Sequence, residues 1–357
     1  MKKRAAFLGV GLAVSAFFLW LVLRKVQFAE LAAVARSIRW VWVAPNLAIF
    51  YVSMYLRTVR WRLFFPAESG ISTNRIFGPN MIGYTLNSLF PGRVGEAARA
   101  VLVGRRERTS IATALATVLA ERVVDGLTIL AALGLVFVWV PFGDFSYSYG
   151  GFAIDGARLK DVAHKTALFV VLPLAAGIVL MMIRGFRRLL ERMLDALWFL
   201  PQGLRRFAKR IMESFALGFE SLKSPKRIAW IALHSVLIWA MVAWSVQVLA
   251  YAFALSMTFM QGLAITMIIC VAILIPAAPG YWGLYEVGFL FAARLMNLQG
   301  DNATLTAMAL LLHLLQYVPV ILVGVVCAAA AGTSLSQVAR SAGAAAEAIP
   351  GSSPAPQ

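Results

Sequence analysis

Apolar residues run along this chain in long blocks, with the charged positions gathered between them. The blocks occupy 5–23, 40–56, 76–104, 110–140, 162–183, 228–250, 259–293 and 303–331. A helix of about 20 residues crosses a hydrocarbon layer roughly 30 Å thick, so most of these blocks predict spanning helices. The block at 5–23 is followed by Arg24 and Lys25 instead of a small-residue cleavage site. It therefore reads as a first spanning helix and not as a secretory signal. Between the first two blocks, Leu31, Val34, Ala35 and Ile38 recur at helical spacing among Glu30, Arg36 and Arg39. That pattern predicts a helix over 26–39 lying along the membrane interface. The Ser-, Ala-, Gly- and Pro-rich segment 332–357, with one basic residue at Arg340, predicts a disordered tail.

Two blocks are broken. Residues 76–104 contain Pro79, Gly83, Pro91, Gly92 and Gly95, together with the charges Arg93, Glu96 and Arg99. Residues 259–293 contain Pro276, Pro279, Gly280 and Gly283, together with Glu286. Pro and Gly interrupt the helical hydrogen-bond ladder, and irregular backbone survives at membrane depth only when buried in protein or lining a cavity. The halves on either side of Pro91 and Gly92 are about 15 and 11 residues, roughly 22 and 16 Å of helix, and neither spans. Both broken blocks read as re-entrant hairpins.

Charge tests this topology. With a cytoplasmic N-terminus, six crossings and two hairpins that return to their own side, 23 of the 33 basic residues fall inside and 7 outside. If 76–104 crossed once instead, the linker 184–227 with its 11 basic residues would move outside, against the positive-inside rule. The four basic residues at 24–39 are the exception, explained by snorkelling of the interfacial helix. The predicted fold is therefore an all-α polytopic membrane protein of two inverted-topology repeats, with six full spanning helices plus two re-entrant helical hairpins. Repeat one covers about 1–140 and repeat two about 160–331, joined through a basic amphipathic linker at 184–227. The tips are alike: Phe90-Pro91-Gly92-Arg93-Val94-Gly95-Glu96 against Ala278-Pro279-Gly280-Tyr281-Trp282-Gly283, with Glu286 beyond. Paired breaks in two inverted halves point to a transporter site near the midplane.

Composition narrows the function. The chain is 61% hydrophobic and 14% charged with mean hydropathy +0.79, against about half apolar and a quarter charged in soluble domains. Soluble enzymes, disulfide-stapled domains and disordered proteins are excluded. Net charge +17 would suit nucleic acid, but the basic residues crowd helix ends, which favours anionic lipid headgroups and no nucleic acid. Cys270 and Cys327 both lie in apolar blocks, and His164, His234 and His313 show no ligand spacing, so no metal and no cofactor is expected. His313 reads as a helix-packing residue. Trp20, Trp40, Trp42, Trp139 and Trp230 sit at predicted interfaces. The GxxxxGK[ST] phosphate loop is missing.

Charges inside the apolar blocks carry the chemistry, since each costs roughly 2.5–3.5 kcal/mol on insertion scales. Arg93, Glu96 and Arg99 fall three apart and can share a helix face. Glu121 and Asp125 are four apart on one face of the helix over 110–140, with Arg122 between them. Two like charges there need a basic partner, and Arg93 and Arg122 are available. Such ions either bind a ligand or pin the hairpin to its neighbour. Arg93 stands at a Pro-Gly break where a half-helix begins, and a guanidinium beside that positive end favours a phosphate. Glu286 suits a proton or cation role, or a plain hydrogen bond.

The stretch NSLFPGRVGEAARA, then SIATALATVLAERVVDGL, and in the second half IPAAPGYWGLYEVG, resemble the lysylphosphatidylglycerol-synthase transmembrane family of flippase-like proteins. Pro91, Gly92, Arg93, Gly95, Glu96, Arg99, Glu121, Arg122 and Asp125 match the first signature, and Pro279, Gly280, Gly283 and Glu286 the second. The resemblance implies movement of a lipid between leaflets: aminoacylated phosphatidylglycerol in the bifunctional members, and for this chain an anionic phospholipid, a polyprenyl-phosphate-linked sugar or a hopanoid-associated lipid. Bifunctional members carry an aminoacyl-transferase domain after the membrane part. Here only a short tail follows, so lysyl transfer is not expected.

The leading expectation is a non-enzymatic flippase or scramblase of the bacterial inner membrane, both termini cytoplasmic. Arg93 and Arg99 receive a lipid phosphate between the hairpin tips, while Glu96, Glu121 and Asp125 hold the arginines. Arg122 and Glu286 complete the candidate set. A secondary transporter of a small anion and a non-transporting envelope-assembly protein are the alternatives, and self-association stays open. An intramembrane enzyme ranks last, for want of a nucleophile–base pair.

Overall fold

The computed structural model describes residues 13–22, 27–90, 93–139, 146–149, 152–156, 184–196, 224–275 and 279–348, with isolated positions between them. Its helices are α1 (Ala13–Val22), α2 (Phe28–Ser37), α3 (Val43–Arg62), α4 (Thr73–Leu89), α5 (Val94–Arg106), α6 (Ile111–Trp139), α7 (Arg184–Ala196), α8 (Pro225–Ala252), α9 (Phe259–Ala272), α10 (Leu284–Leu295), α11 (Asn302–Ala330) and α12 (Leu335–Ala348). The expected helical class holds with one addition. Strands β1 (Ser146–Tyr149) and β2 (Phe152–Asp155) pair antiparallel, Ser146 opposite Asp155 and Tyr149 opposite Phe152.

Local chemistry sets the helix ends. Asp301 caps α11 by accepting from the Thr304 amide at 2.7 Å, and Thr258 with Gln261 forms a capping box at α9. Pro225 opens α8, where a missing N–H costs nothing. One expected interruption is not a break: α4 runs through Pro79; α11 likewise runs through Pro319, inside a block read as unbroken. α4 ends at Leu89 and α5 begins at Val94, while α9 ends at Ala272 and α10 begins at Leu284. Pro91 and Gly92, and residues 276–278 with Pro276, fall outside the described residues, as do most of 162–183, the linker over 197–223 apart from Arg205, and 349–357.

α3 corrects the sequence reading. Its predicted block ended at 56, yet the helix continues to Arg62 because Arg57 and Arg60 are buried and paired there. The tail is corrected too. Instead of a disordered 332–348, α12 packs on the first hairpin, burying Val338 and Ala342 against Ile82, Leu86, Ala98 and Ala328. Alanine is the best helix former, and Val338 and Ala342 stand one turn apart on the buried face.

Packing centres on α3 against α8, tied by Asn46 Nδ2 donating to the Ser245 carbonyl at 2.6 Å. Around this pair α4 packs on α5 and α11, and α9 on α10 and α6; α5 leans on α6, and α10 on α11. Exchanging α3–α6 for α8–α11 in order returns the same set of neighbours. Small residues permit the closest approaches. A Cβ on Gly95 would overlap the Gly83 carbonyl between α5 and α4, and one on Gly324 would overlap Thr85 Oγ1 between α11 and α4. Two of the apolar cores form around Phe289, Leu305 and Leu312 and around Trp61, Phe65 and Val118. Val138, Val236 and Val326 are more than half exposed on long helices, an exterior suited to lipid. Of the described helices, α8 and α11 are long and apolar enough to cross a membrane.

Candidate functional site

Helices α3, α5, α6 and α8 converge on a buried cluster of ions. Glu121 and Asp125, one turn apart on α6, are clasped from several sides. From α3, Arg60 places Nη2 3.3 Å from Glu121 Oε1 and 2.7 Å from Asp125 Oδ1, while its Nη1 donates to Ser235 Oγ of α8 at 2.9 Å. From α5, Arg99 sets Nη2 2.8 Å from Glu121 Oε2 and donates from Nη1 to Asn80 Oδ1 at 2.8 Å. Arg122 Nη2 lies 3.1 Å from both Glu121 Oε1 and Asp125 Oδ2. Arg57 Nη1 stands 3.8 Å from Asp125 Oδ2. Aromatic faces back two of the cations, Arg99 over Trp61 at 4.7 Å and Arg57 over Trp239 at 4.8 Å, which lowers the cost of desolvating guanidinium.

The basic partner that the acid pair requires is thus supplied twice, by Arg122 as expected and by Arg60, which the sequence reading left in a loop. Arg93 is not that partner. It forms the N-cap of α5 in the left-handed conformation, φ 54°, and its only ion pair among the described residues is a 4.0 Å contact to Glu96. Glu96 Oε1 in turn lies 3.9 Å from Arg122 Nε. The three charges Arg93, Glu96 and Arg99 therefore diverge: Arg99 faces inward, while Arg93 remains half exposed at 51% of its side chain. A file leads inward from Arg93 through Glu96 to Arg122, whose side chain is 29% exposed.

Four guanidinium groups, Arg57, Arg60, Arg99 and Arg122, face the three carboxylates Glu96, Glu121 and Asp125, so the cluster carries an excess positive charge before Arg93 is counted. Donors remain unspent. Arg57 Nε, Arg122 Nε and the buried Tyr84 hydroxyl have no hydrogen-bond partner.

Glu286 belongs to a second site. At α10 it accepts from the Gly283 amide through Oε2 at 2.7 Å and meets His313 Nδ1 of α11 through Oε1 at 2.6 Å, both residues fully buried. His313 is stacked on Tyr285 at 4.2 Å and bordered by Trp282 at 4.4 Å and Tyr317 at 4.8 Å. Ser88 of α4 lies near the Tyr317 side chain on α11. At the second tip Gly280 (φ 89°) and Gly283 (φ 86°) need glycine for their backbone, and a Cβ on Gly283 would strike Leu19 and Ser15 of α1. Tyr281, which follows Pro279 and Gly280 as Arg93 follows Pro91 and Gly92, shares the left-handed conformation of Arg93 at φ 55°. Among the described residues no three His, Cys, Asp or Glu side chains are grouped to hold a metal.

The sequence profile described as the lysylphosphatidylglycerol synthase TM region matches residues 8–324. The chain belongs to that family. Within the curated proteins, a 276-residue stretch is 26% identical to glycosyltransferase AglD of Haloferax volcanii, covering 71% of this chain and 43% of that protein. A 145-residue stretch is 28% identical to a UPF0104 membrane protein of Methanothermobacter thermautotrophicus, covering 38% of this chain and 42% of the relative. The chain spans under half the length of the curated relatives it matches. As a member of the lysylphosphatidylglycerol synthase TM family it is a helical membrane protein, and both ion sites, from Arg57 to His313, fall inside the matched region.

Proposed function

We propose that this protein moves an anionic, phosphate-bearing lipid between leaflets, with the phosphate received at the mouth of the first hairpin by Arg93 and Arg122. The observation that carries this reading is the positive excess of the ion cluster, together with the half-exposed Arg93 leading into it. Arg99 is spent on Glu121 and Asn80 and acts behind the site, fixing α5 to α6. A carboxylate ringed by guanidinium groups is a poor general base, which favours transport over catalysis.

The topology that goes with this reading is two inverted repeats with α4–α5 and α9–α10 as re-entrant hairpins. At 17, 13, 14 and 12 residues, these helices are about 18–26 Å long, short of a bilayer. The interchangeable packing of α3–α6 and α8–α11 supports it. Arg62, Arg75, Arg105, Arg106, Arg108 and Arg227 gather near one end of the bundle, where Arg75 pairs with Glu107 and Arg227 reaches the Phe65 carbonyl. That end is assigned to the cytoplasm of an inner membrane. A relative named a glycosyltransferase favours a glycosylated lipid phosphate among the cargoes.

Proteoliposomes test the proposal. Fluorescent phosphatidylglycerol in the inner leaflet becomes accessible to an external quencher as it crosses. Arg93→Gln and Arg122→Gln, both at positions whose side chains keep some exposure, should slow crossing at least tenfold while neutral lipid stays put. Unchanged crossing in both variants, or uptake of free inorganic phosphate in place of lipid, overturns the assignment.

A further inference from the structure

On the face of α4 and α5 turned away from the ion cluster lies a cavity of about 460 Å³, closed by the end of α11 and by α12. Its floor is apolar, formed by Gly78, Pro79, Ile82, Leu102, Cys327 and Ala330. Its rim is polar, formed by Arg105, Arg106, Thr333, Gln337 and Ser341. The volume falls in the range of about 300–1,000 Å³ typical of small-molecule sites. Arg106 Nε lies 3.8 Å from Glu107. Arg105 has no ion pair or hydrogen bond with any described residue.

We infer that this cavity holds one anionic phospholipid, its phosphate between Arg105 and Arg106 and an acyl chain in the apolar slot, as a resident distinct from the cargo. Two features select that occupant. A free phosphate would match the arginines but leave the apolar floor unfilled, and a zwitterionic lipid such as phosphatidylcholine would fill the floor but bring a quaternary ammonium against the same two arginines. The rim also belongs to the basic end of the bundle, which the positive-inside argument sets against the leaflet rich in anionic lipid.

The lipid would brace the hairpin that carries the ion cluster. Pro79 on the floor precedes Asn80, the partner of Arg99, and Leu102 lies one turn beyond Arg99 on α5. α12 closes the slot and packs on the same hairpin through Val338 and Ala342.

Cys327 on the floor is a built-in reporter. In the full chain carrying Cys270→Ala, in detergent micelles, maleimide labelling of Cys327 should slow at least fivefold when phosphatidylglycerol is added. Phosphatidylcholine or inorganic phosphate should slow it less than twofold. Arg105→Gln with Arg106→Gln, both at exposed positions, should abolish the protection, and Ala330→Trp should slow labelling without lipid by filling the slot. Equal protection by phosphatidylcholine, protection by phosphate alone, or protection that survives the double glutamine variant overturns the inference. Labelling is read without transport, so the result is independent of whether cargo moves.

Discussion

Replacing Arg60 by Met is the sharpest test of how the ion cluster holds four helices together. The guanidinium is fully buried and contacts Asp125 at 2.7 Å and Glu121 at 3.3 Å. With an effective dielectric of about 20, Coulomb's law gives these contacts roughly 6 and 5 kcal/mol of gross attraction. Desolvation, at several kcal/mol per buried ion, removes much of it, and breaking a buried pair by deleting one partner costs about 3–5 kcal/mol. Here the lower end applies. Asp125 keeps Arg122 at 3.1 Å and Glu121 keeps Arg99 at 2.8 Å, so neither carboxylate is orphaned. Ser235 loses an incoming donor but still donates to the Ile231 carbonyl. About 3 kcal/mol corresponds to a fall of roughly 4 °C in Tm for a chain of this length, readable by tryptophan fluorescence in a fixed detergent because Trp61 and Trp239 lie against the cluster. Asp125→Leu alone should cost a similar amount, and the double variant should recover at least about 2 kcal/mol of the summed losses. Arg60→Met within about 2 °C of the parent, or losses that simply add, would show that Arg60 does not bridge the pair.

Two further outcomes follow from the same contacts. Gly324→Ala should destabilise strongly, since the new methyl overlaps Thr85 Oγ1, and combining it with Thr85→Ala should restore part of the loss in the same thermal assay. Asp301→Ala should cost about 1 kcal/mol as a lost helix cap at neutral pH. The Thr304 amide holds the Asp301 carboxyl below the ordinary value near 3.8. A lowered folded value means stability that is present above the ordinary value and lost as pH falls through the depressed one. Parent and variant should therefore converge in acid, and a gap that persists there would refute the cap.

The sequence made the architecture legible wherever a helix had to stop or a charge had to be paid for. The breaks near Pro91 and Pro279 stood out because backbone interruption at depth has few tolerable solutions. The acid pair Glu121 and Asp125 stood out because like charges one turn apart demand a cation. What the sequence concealed was distance. Arg57 and Arg60 sit 61 to 68 positions from the carboxylates they serve, and a block boundary drawn at the first arginine placed them in a loop. Their spacing of one turn was the available signal. His313 is 27 residues from Glu286 and gave no local hint. Two other features carried unread signals: Ser146-Tyr147-Ser148-Tyr149 alternates before a Gly-Gly turn, and the tail over 335–348 is rich in alanine. Composition grouped that tail with linkers, although alanine beside an apolar i, i+4 pair favours a packed helix.

The two helix pairs α4–α5 and α9–α10 solve one electrostatic problem in different ways, and the difference supports placing the proposed anion site at the first. Each second half-helix opens with amides that lack an intrahelical acceptor, and each carries a glutamate three positions after its cap: Glu96 after Arg93 and Glu286 after Gly283. At the second tip Glu286 turns back onto the Gly283 amide and spends its other oxygen on His313, so that helix end holds its own anion and has no need of another. At the first tip Glu96 turns away, toward Arg122 and Arg93, and the Gly95 amide is met by the neutral side chain of Asn87 at 2.8 Å. The partial positive charge of α5 is therefore left without a capping carboxylate, beside a cluster already in cationic excess. An incoming phosphate gains from both fields at the first hairpin and from neither at the second. The near-symmetric packing thus carries a one-sided distribution of charge, with the capping carboxylate at the second tip and the cationic excess at the first.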